Sequence, residues 1–364
     1  MKYKSIVFVT PEPIRDMGNF RNYLIENTEN LITYHFFHGY SNKNSYMEKF
    51  YNGKKVLNIK FPVFRLKINI VRTLLYWIYV EYILLGYAQR GSFVIVEKPF
   101  FLIFNSIISL FKNMKFVFWI GDYYPDSGGF MRIYNALVHY YNKNLKYVLY
   151  ESPPLKRIYL PVDNIKNKYR ALVTLGMKRE NIVRRKRGKE VKLGFIGVLR
   201  PMQGLDLAFD YLSKTEDNVR LEIIGSGYYL EHYKKLAREK GIDNKIKFYG
   251  FVDDIKSVIK NWDVGLALYE NKRENLSIYC EPTKIKDYLE YGLPVITTKA
   301  TYFYKELIKY GAGEAINENI SELDSAIKKI ISNYNNYLLG IEKITYNYEY
   351  SKWYDKRFKF LELD

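Results

Sequence analysis

Val191-Lys192-Leu193-Gly194-Phe195-Ile196-Gly197-Val198-Leu199-Arg200-Pro201-Met202-Gln203-Gly204-Leu205-Asp206 reads as a strand, a turn between two glycines and the start of a helix. The apolar run 191–197 has strand length and ends in glycine, where a chain can turn sharply. A helical pattern follows over 204–212. Arg200 lies in the turn. Backbone amides at a helix start together with a guanidinium make a diphosphate site. An ordinary strand–turn–helix with a surface arginine fits the stretch equally well.

The same alternation continues outward. Strands are expected at 219–224, 245–249, 263–269 and 294–297, with helices at 228–240, 253–261 and 283–291. Gly225 and Gly250 close two of these strands as Gly197 closes the first. Strands alternating with helices predict a parallel sheet covered on both faces. Ligands of such sheets bind outside the carboxyl ends of the strands, so Gly197, Gly225 and Gly250 are expected to rim one pocket. Gly225-Ser226-Gly227 alone is an incomplete dinucleotide fingerprint.

The first half alternates less cleanly. Strands are expected near 4–9, 31–37, 55–59, 92–96, 115–120 and 146–150, with a long helical segment over 66–90. A basic, irregular segment over 175–190 separates the halves. A chain of 364 residues exceeds one ordinary core and suits two domains. The expected domains are 1–175, completed by a C-terminal helix over 347–364, and 176–346.

The formal net charge of +18 is compatible with nucleic acid, anionic membrane or phosphorylated substrates. The densest run, Arg184-Arg185-Lys186-Arg187, equally reads as a solvated linker. No zinc-ligand spacing or RNA-binding aromatic signature accompanies it, so no nucleic-acid partner is expected. Cys280 is the one cysteine, which excludes an internal disulfide and fits a cytoplasmic location. His35, His38, His139 and His232 show no metal spacing, and no metal site is expected. From Ile68 to Ala88 only Arg72 and Glu81 are charged. The length suits a membrane span, but two mid-segment charges are costly in lipid, which favours a buried or interfacial helix. Lys60, Arg65, Lys67 and Arg72 beside Tyr76, Trp77 and Tyr79 suit peripheral contact with anionic lipid, at the inner face of the cell membrane.

The most specific element is Glu281-Pro282-Thr283-Lys284-Ile285-Lys286-Asp287-Tyr288-Leu289-Glu290-Tyr291-Gly292-Leu293-Pro294-Val295-Ile296-Thr297. Pro282 starts a helix at no hydrogen-bond cost. Lys284 then stands in the first turn, where an ammonium joins the helix N-terminus in binding phosphate. Asp287, three residues on, shares that face and can accept two hydrogen bonds from a ribose diol. A surface ion pair between the two, worth little, is the alternative.

From about Val191 to Ile316 the chain resembles family-4 retaining glycosyltransferases, of the group 1 type. The pieces are Phe195-Ile196-Gly197 through Gln203-Gly204-Leu205-Asp206, Ile223-Ile224-Gly225-Ser226-Gly227, Phe248-Tyr249-Gly250-Phe251-Val252, Asp263-Val264-Gly265-Leu266-Ala267-Leu268, and Pro282 to Ile296. The resemblance implies the glycosyltransferase-B fold: two Rossmann-like α/β/α domains facing across a cleft, the first for the acceptor and the second for the nucleotide sugar. It implies donor-diphosphate roles for Arg200 and Lys284, which would stabilise the leaving group without a metal or cofactor. Asp287 matches the ribose-holding position. Phe251 and Val252 match the loop beside the base, and Glu281, Pro282 and Thr283 match the loop whose backbone faces diphosphate and sugar. The expected acceptor is a glycan or lipid-linked glycan in surface polysaccharide or glycolipid synthesis.

The chain departs from the family pattern at four places. Gln203 stands where a lysine is usual, and Tyr279 stands where many relatives carry a first glutamate, as in a subset that keeps Pro-x-Lys. The N-terminal loop 13–20 has only Gly18 in place of a Gly-Gly pair. The region of an expected histidine reads Trp119-Ile120-Gly121-Asp122-Tyr123-Tyr124-Pro125-Asp126, where Asp122 is the candidate for catalytic contact or simply caps a turn. These departures leave a non-catalytic sugar-nucleotide or glycan-binding relative as the second expectation.

Overall fold

The computed structural model describes residues 2–12, 19–37, 44–62, 69–103, 111–125, 128–160, 169–179, 190–252 and 254–359. The chain divides into two units, Met1–Gly176 with Tyr350–Asp364, and Met177–Glu349. The basic run at 184–187, Gly18, Asp126 and the flanking Arg65 and Lys67 lie outside the described residues.

The second unit is a six-stranded sheet. Its strands are β9 (Val191–Ile196), β10 (Val219–Ile224), β11 (Ile246–Gly250), β12 (Val264–Ala267), β13 (Val295–Thr298) and β14 (Gly313–Ile316). All five pairings are parallel, in the order β11-β10-β9-β12-β13-β14. Strands in such a sheet are covered on both faces, so they are continuous apolar runs; β12 and β13 are buried along their whole length. The order runs outward from β9 on one side and restarts at β12 on the other, so β9 and β12 flank the switch point where such sheets bind ligands. They pair only at Val264↔Leu193 and Gly265↔Gly194 and then part.

Where the strands part, Tyr288 fills the gap. It sits fully buried on helix α8 (Thr283–Glu290). Its hydroxyl accepts from Ile196 N–H at 2.9 Å and donates to the Leu266 carbonyl at 3.1 Å. One side chain thus satisfies backbone groups that the parting strands leave without a ladder partner.

The first unit is an eight-stranded mixed sheet, ordered β4-β3-β2-β1-β5-β6-β7-β8. Its strands are β1 (Tyr3–Glu12), β2 (Thr28–Phe37), β3 (Ser45–Tyr51), β4 (Lys54–Phe61), β5 (Phe93–Val96), β6 (Lys115–Ile120), β7 (Tyr147–Tyr150) and β8 (Arg170–Leu172). The expected all-parallel pattern is corrected at one edge: β2, β3 and β4 pair antiparallel. The β3–β4 turn is Asn52-Gly53, both at positive φ (48° and 78°), as a two-residue hairpin requires.

Helix α2 (Asn69–Gly86) occupies the long helical segment. It buries Tyr76, Val80, Ile83 and Leu84 and leaves Leu74, Ile78, Tyr82 and Leu85 exposed at helical spacing. Tyr76, expected at an interface, is therefore core. Among the described residues no helix is long and apolar enough to cross a membrane.

The C-terminal helix expected over 347–364 is observed as α12 (Tyr350–Arg357), and a separate helix, α11 (Tyr334–Asn347), precedes it. The break falls where Tyr348 O accepts from Met177 N–H at 2.7 Å and Glu349 bridges Met177, which pulls the backbone out of helical geometry. Past it, Tyr354 and Phe358 join the core of the first unit, against Phe20, Tyr23 and Trp119. Phe20 and Tyr23 belong to α1 (Phe20–Asn27), a helix the sequence pattern did not show.

Candidate functional site: the switch point of the second unit

Three glycines end three neighbouring strands. Gly197 N–H donates to Ile224 O at 3.0 Å and Gly225 N–H to Gly250 O at 2.8 Å, so the strand ends are level. Gly225 has φ 140°, and a Cβ there would lie 1.9 Å from the Gly197 carbonyl oxygen. No other residue fits, which keeps backbone rather than side chain at the surface of the strand ends. Beyond each strand the loop exposes one apolar side chain: Val198, Tyr228 and Phe251 are 60%, 79% and 66% exposed. Val252 is half-buried beside Phe251.

Lys284 enters from the other side of the switch point. It stands in the first turn of α8, and a Cβ on Gly197 would lie 3.2 Å from its ammonium. The residue is 8% exposed. The ammonium lies over the Phe195 ring at 4.0 Å and the Tyr269 ring at 5.0 Å, and donates to Gln203 Oε1 at 2.8 Å. Desolvation, aided by the charge of Arg200 and opposed by that of Asp287, pushes it down to about 7. The hydrogen-bond partner shown here is neutral, so the cation is buried without full charge compensation.

Arg200 and Lys284 are brought together by a short chain of polar groups. Arg200 Nη2 donates to Ser277 Oγ at 3.2 Å, Gln203 Nε2 reaches the same oxygen at 3.4 Å, and Gln203 Oε1 holds Lys284. Ser277 is presented by a loop that Asn275 ties to the Met202 and Glu270 carbonyls. Gly204, at φ 72°, closes the turn against this loop; a Cβ there would lie 1.7 Å from Leu268 O. Asp287, one turn beyond Lys284, is half-buried, and its charge is felt by both Lys284 and Tyr269.

The remaining expected residues divide. Thr283 is exposed at the helix start and Pro282 precedes it as the cap. The Glu281 side chain faces inward, where its carboxylate pairs with Lys286 and accepts from Tyr302. Only its backbone is left to serve a ligand. Asp122 lies in the first unit, just past β6, paired with Lys98 at 2.5 Å. Gln203, Ser277, Tyr269 and Tyr288 were not among the expected site residues. The polar Gln203 between Met202 and Gly204 was the one sequence signal. Among the described residues no group of three His, Cys, Asp or Glu is placed to hold a metal ion.

Residues 177–344 match the family described as glycosyl transferases group 1. No curated protein matches the chain by sequence. Solved structures resemble it over its whole length at low identity. An Anabaena protein, HepE, in complex with UDP-glucose is 12% identical with a TM-score of 0.66, covering 100% of both chains. WaaG, a glycosyltransferase involved in lipopolysaccharide biosynthesis, is 14% identical with a TM-score of 0.66 over 98% of this chain and 99% of its own. The lipopolysaccharide outer core galactosyltransferase WaaB is 16% identical with a TM-score of 0.60 over 97% and 98%. The chain has the glycosyltransferase-B fold, and the family match to glycosyl transferases group 1 lies in its second unit.

Proposed function

We propose that this chain transfers a sugar from a nucleoside diphosphate sugar to a hydroxyl of a glycan or lipid-linked glycan. The observation that carries this is the pairing of Arg200 and Lys284 across the switch point through Ser277 and Gln203. Two cations held by neutral hydroxyl and amide groups exchange those partners for phosphate oxygens, each charged hydrogen bond gaining roughly 1.5–3 kcal/mol. Asp287 then accepts from the ribose diol, and Phe251 and Val252 lie along the base. HepE is described with UDP-glucose bound, which makes uracil the first base to test.

In this scheme the bond between the sugar's anomeric carbon and the diphosphate breaks as the acceptor oxygen bonds the same face of the carbon. A donor phosphate oxygen takes the acceptor proton, and attack on the face that the diphosphate leaves retains the configuration. Charge builds on the diphosphate, where positioned cations lower the barrier. Arg200 and Lys284 supply that charge in place of a divalent metal.

The lipid-linked acceptor and a working position at the cytoplasmic membrane face are supported by the exposed Leu74, Ile78, Tyr82 and Leu85 of α2. An apolar groove opens beside them, lined by Trp77, Phe100, Phe130, Ile133 and Leu137. The test of function is a thermal-shift screen of UDP-, GDP- and ADP-sugars, followed by turnover of the stabilising donor. A ligand selective for the folded protein must raise its melting temperature. Stabilisation by one nucleotide class, abolished in Lys284→Ala, is expected; stabilisation by none sinks the proposal.

A further inference from the structure

The first unit has its own switch point. From β1 the sheet runs through β2, β3 and β4 on one side and restarts at β5 on the other. Val9 and Val96 are register partners, so Thr10, two residues before the end of β1, and Glu97, just past the end of β5, stand side by side. Asp122 follows the next strand, β6. Open sheets of this kind bind ligands at this place.

The chemistry there is unusual. Glu97 is only 7% exposed, and its Oε1 has no hydrogen-bond partner among the described residues. The adjacent cation does not serve it: Lys98 pairs with Asp122 at 2.5 Å. The Thr10 hydroxyl donates to the Pro11 carbonyl at 3.3 Å and lies near enough to favour the charged form of the Glu97 carboxyl. At the end of β7, Glu151 lies over Gly121, where a Cβ would meet its Oε2 at 2.3 Å. Burial pushes the Glu97 carboxyl up to about 8; Lys98 and Thr10 oppose the shift and Asp122 adds to it. Burial thus favours the neutral form of this carboxyl. A neutral carboxyl offers one O–H donor and a carbonyl acceptor, whereas an ionised one only accepts. An alcohol hydroxyl also donates and accepts, so the two are complementary. An anionic ligand is disfavoured by Asp122 and Glu151, and a cation is already in place on Lys98.

We propose that Glu97 is an acceptor-binding residue, its carboxyl receiving a hydroxyl of a neutral, hydroxyl-rich ligand at the β1–β5 switch point, with Asp122 as a second acceptor. Its role in catalysis rests on the glycosyl-transfer function proposed above, but its ligand chemistry does not.

Two arms separate the claims. In the first, carbon-13 NMR follows the glutamate carboxyls, with Glu97 assigned by its loss in Glu97→Gln, while methyl glycosides of glucose, galactose and mannose are added. The Glu97 signal should titrate near pH 8 and shift with at least one glycoside. A signal that none of them moves overturns the site, whether or not the chain transfers sugar. The second arm is transfer from the donor found by screening. Glu97→Gln, which keeps a donor and an acceptor, should hold the acceptor KM within about threefold. The unmodified chain should show a rise in acceptor KM above pH 8, and Glu97→Gln should lose it. Glu97→Ala should raise acceptor KM at least tenfold with donor KM unchanged. If the Ala variant does not fold, the Gln pH profile decides alone. An acceptor KM that rises with pH in Glu97→Gln as in the unmodified chain overturns the proposal.

Discussion

Lys284→Met should make the unliganded second unit more stable at neutral pH while removing donor binding. The lysine is held down to about 7 from its ordinary 10.5, mainly by desolvation. At about 1.36 kcal/mol per pH unit, burying it costs roughly 4 kcal/mol at pH 7. Methionine has similar length and no charge, so that cost vanishes. Gln203 loses the ammonium that its Oε1 accepts from, which costs about 1–3 kcal/mol. The net gain at pH 7 is therefore about 1–3 kcal/mol. The sign reverses with pH. Between pH 7 and 10.5 the unfolded chain binds a proton at this lysine that the folded chain does not, so the stability of the unmodified protein rises across that window. By pH 10.5 most of the burial cost is gone, and the variant should be the less stable by about 1–3 kcal/mol, the Gln203 loss. Trp262 is the one tryptophan in Met177–Glu349, and it packs fully buried beneath Gly194 of β9. Urea unfolding followed by fluorine NMR of 5-fluorotryptophan, read at Trp262, isolates this unit at any pH. A variant less stable at pH 7 by an amount that does not change with pH would refute the reasoning. Lys284 would then be a structural cation that the fold stabilises, not one kept ready for an anion.

Three other outcomes follow from the same geometry. Asp287→Asn should lower affinity for a ribonucleoside diphosphate while leaving the melting temperature of the unliganded chain nearly unchanged; equal affinity of the unmodified chain for ribose and 2'-deoxyribose nucleotides would remove the ribose role. Tyr354→Ala should cost roughly 3–5 kcal/mol, because the ring packs against Phe20 at 5.1 Å and Tyr23 at 5.4 Å and its hydroxyl accepts from Gly176 N–H. Hydrogen exchange in α1 should speed up accordingly, and unchanged protection there would show that α12 is dispensable to this core. Flotation with liposomes should show binding that increases with anionic lipid and weakens with salt, since headgroup attraction is screened over about 8 Å at physiological ionic strength; no binding at any composition would leave α2 without a membrane role.

The second unit was legible as far as β13 because its strands are short apolar runs, three of them closed by Gly197, Gly225 and Gly250. A parallel sheet covered on both faces imposes that pattern. The first unit hid its edge. β3 reads Ser-Tyr-Met-Glu-Lys-Phe-Tyr, and its Ser45 and Glu48 are buried, so neither an apolar run nor a clean alternation marks it as a strand. The Asn52-Gly53 turn after it was the signal that could have revealed the hairpin. Lys284, Arg200 and Asp287 were singled out because helix-start chemistry and a family resemblance pointed to them; their donor-binding roles are proposed. Tyr288, Ser277 and Gln203 were not, because their roles depend on distant partners. Tyr288 joins two strands 70 residues apart in sequence (Ile196 and Leu266). Ser277 and Gln203 matter only once Arg200 and Lys284 face each other. Glu281 looked like a ligand-facing residue and became half of a buried ion pair, since Lys286 shares its side of the helix start. Glu97 gave no signal, because an acidic residue after a strand is ordinary until its burial is known.

The most direct test of the donor site is calorimetric titration of UDP, GDP and ADP into the unmodified chain, Arg200→Ala and Lys284→Ala. One nucleotide should bind at one site per chain, and each substitution should weaken it by roughly 10- to 150-fold, the worth of one charged hydrogen bond. Binding that survives both substitutions unchanged would place the nucleotide elsewhere and contradict the assignment of the β9–β12 switch point as the donor site.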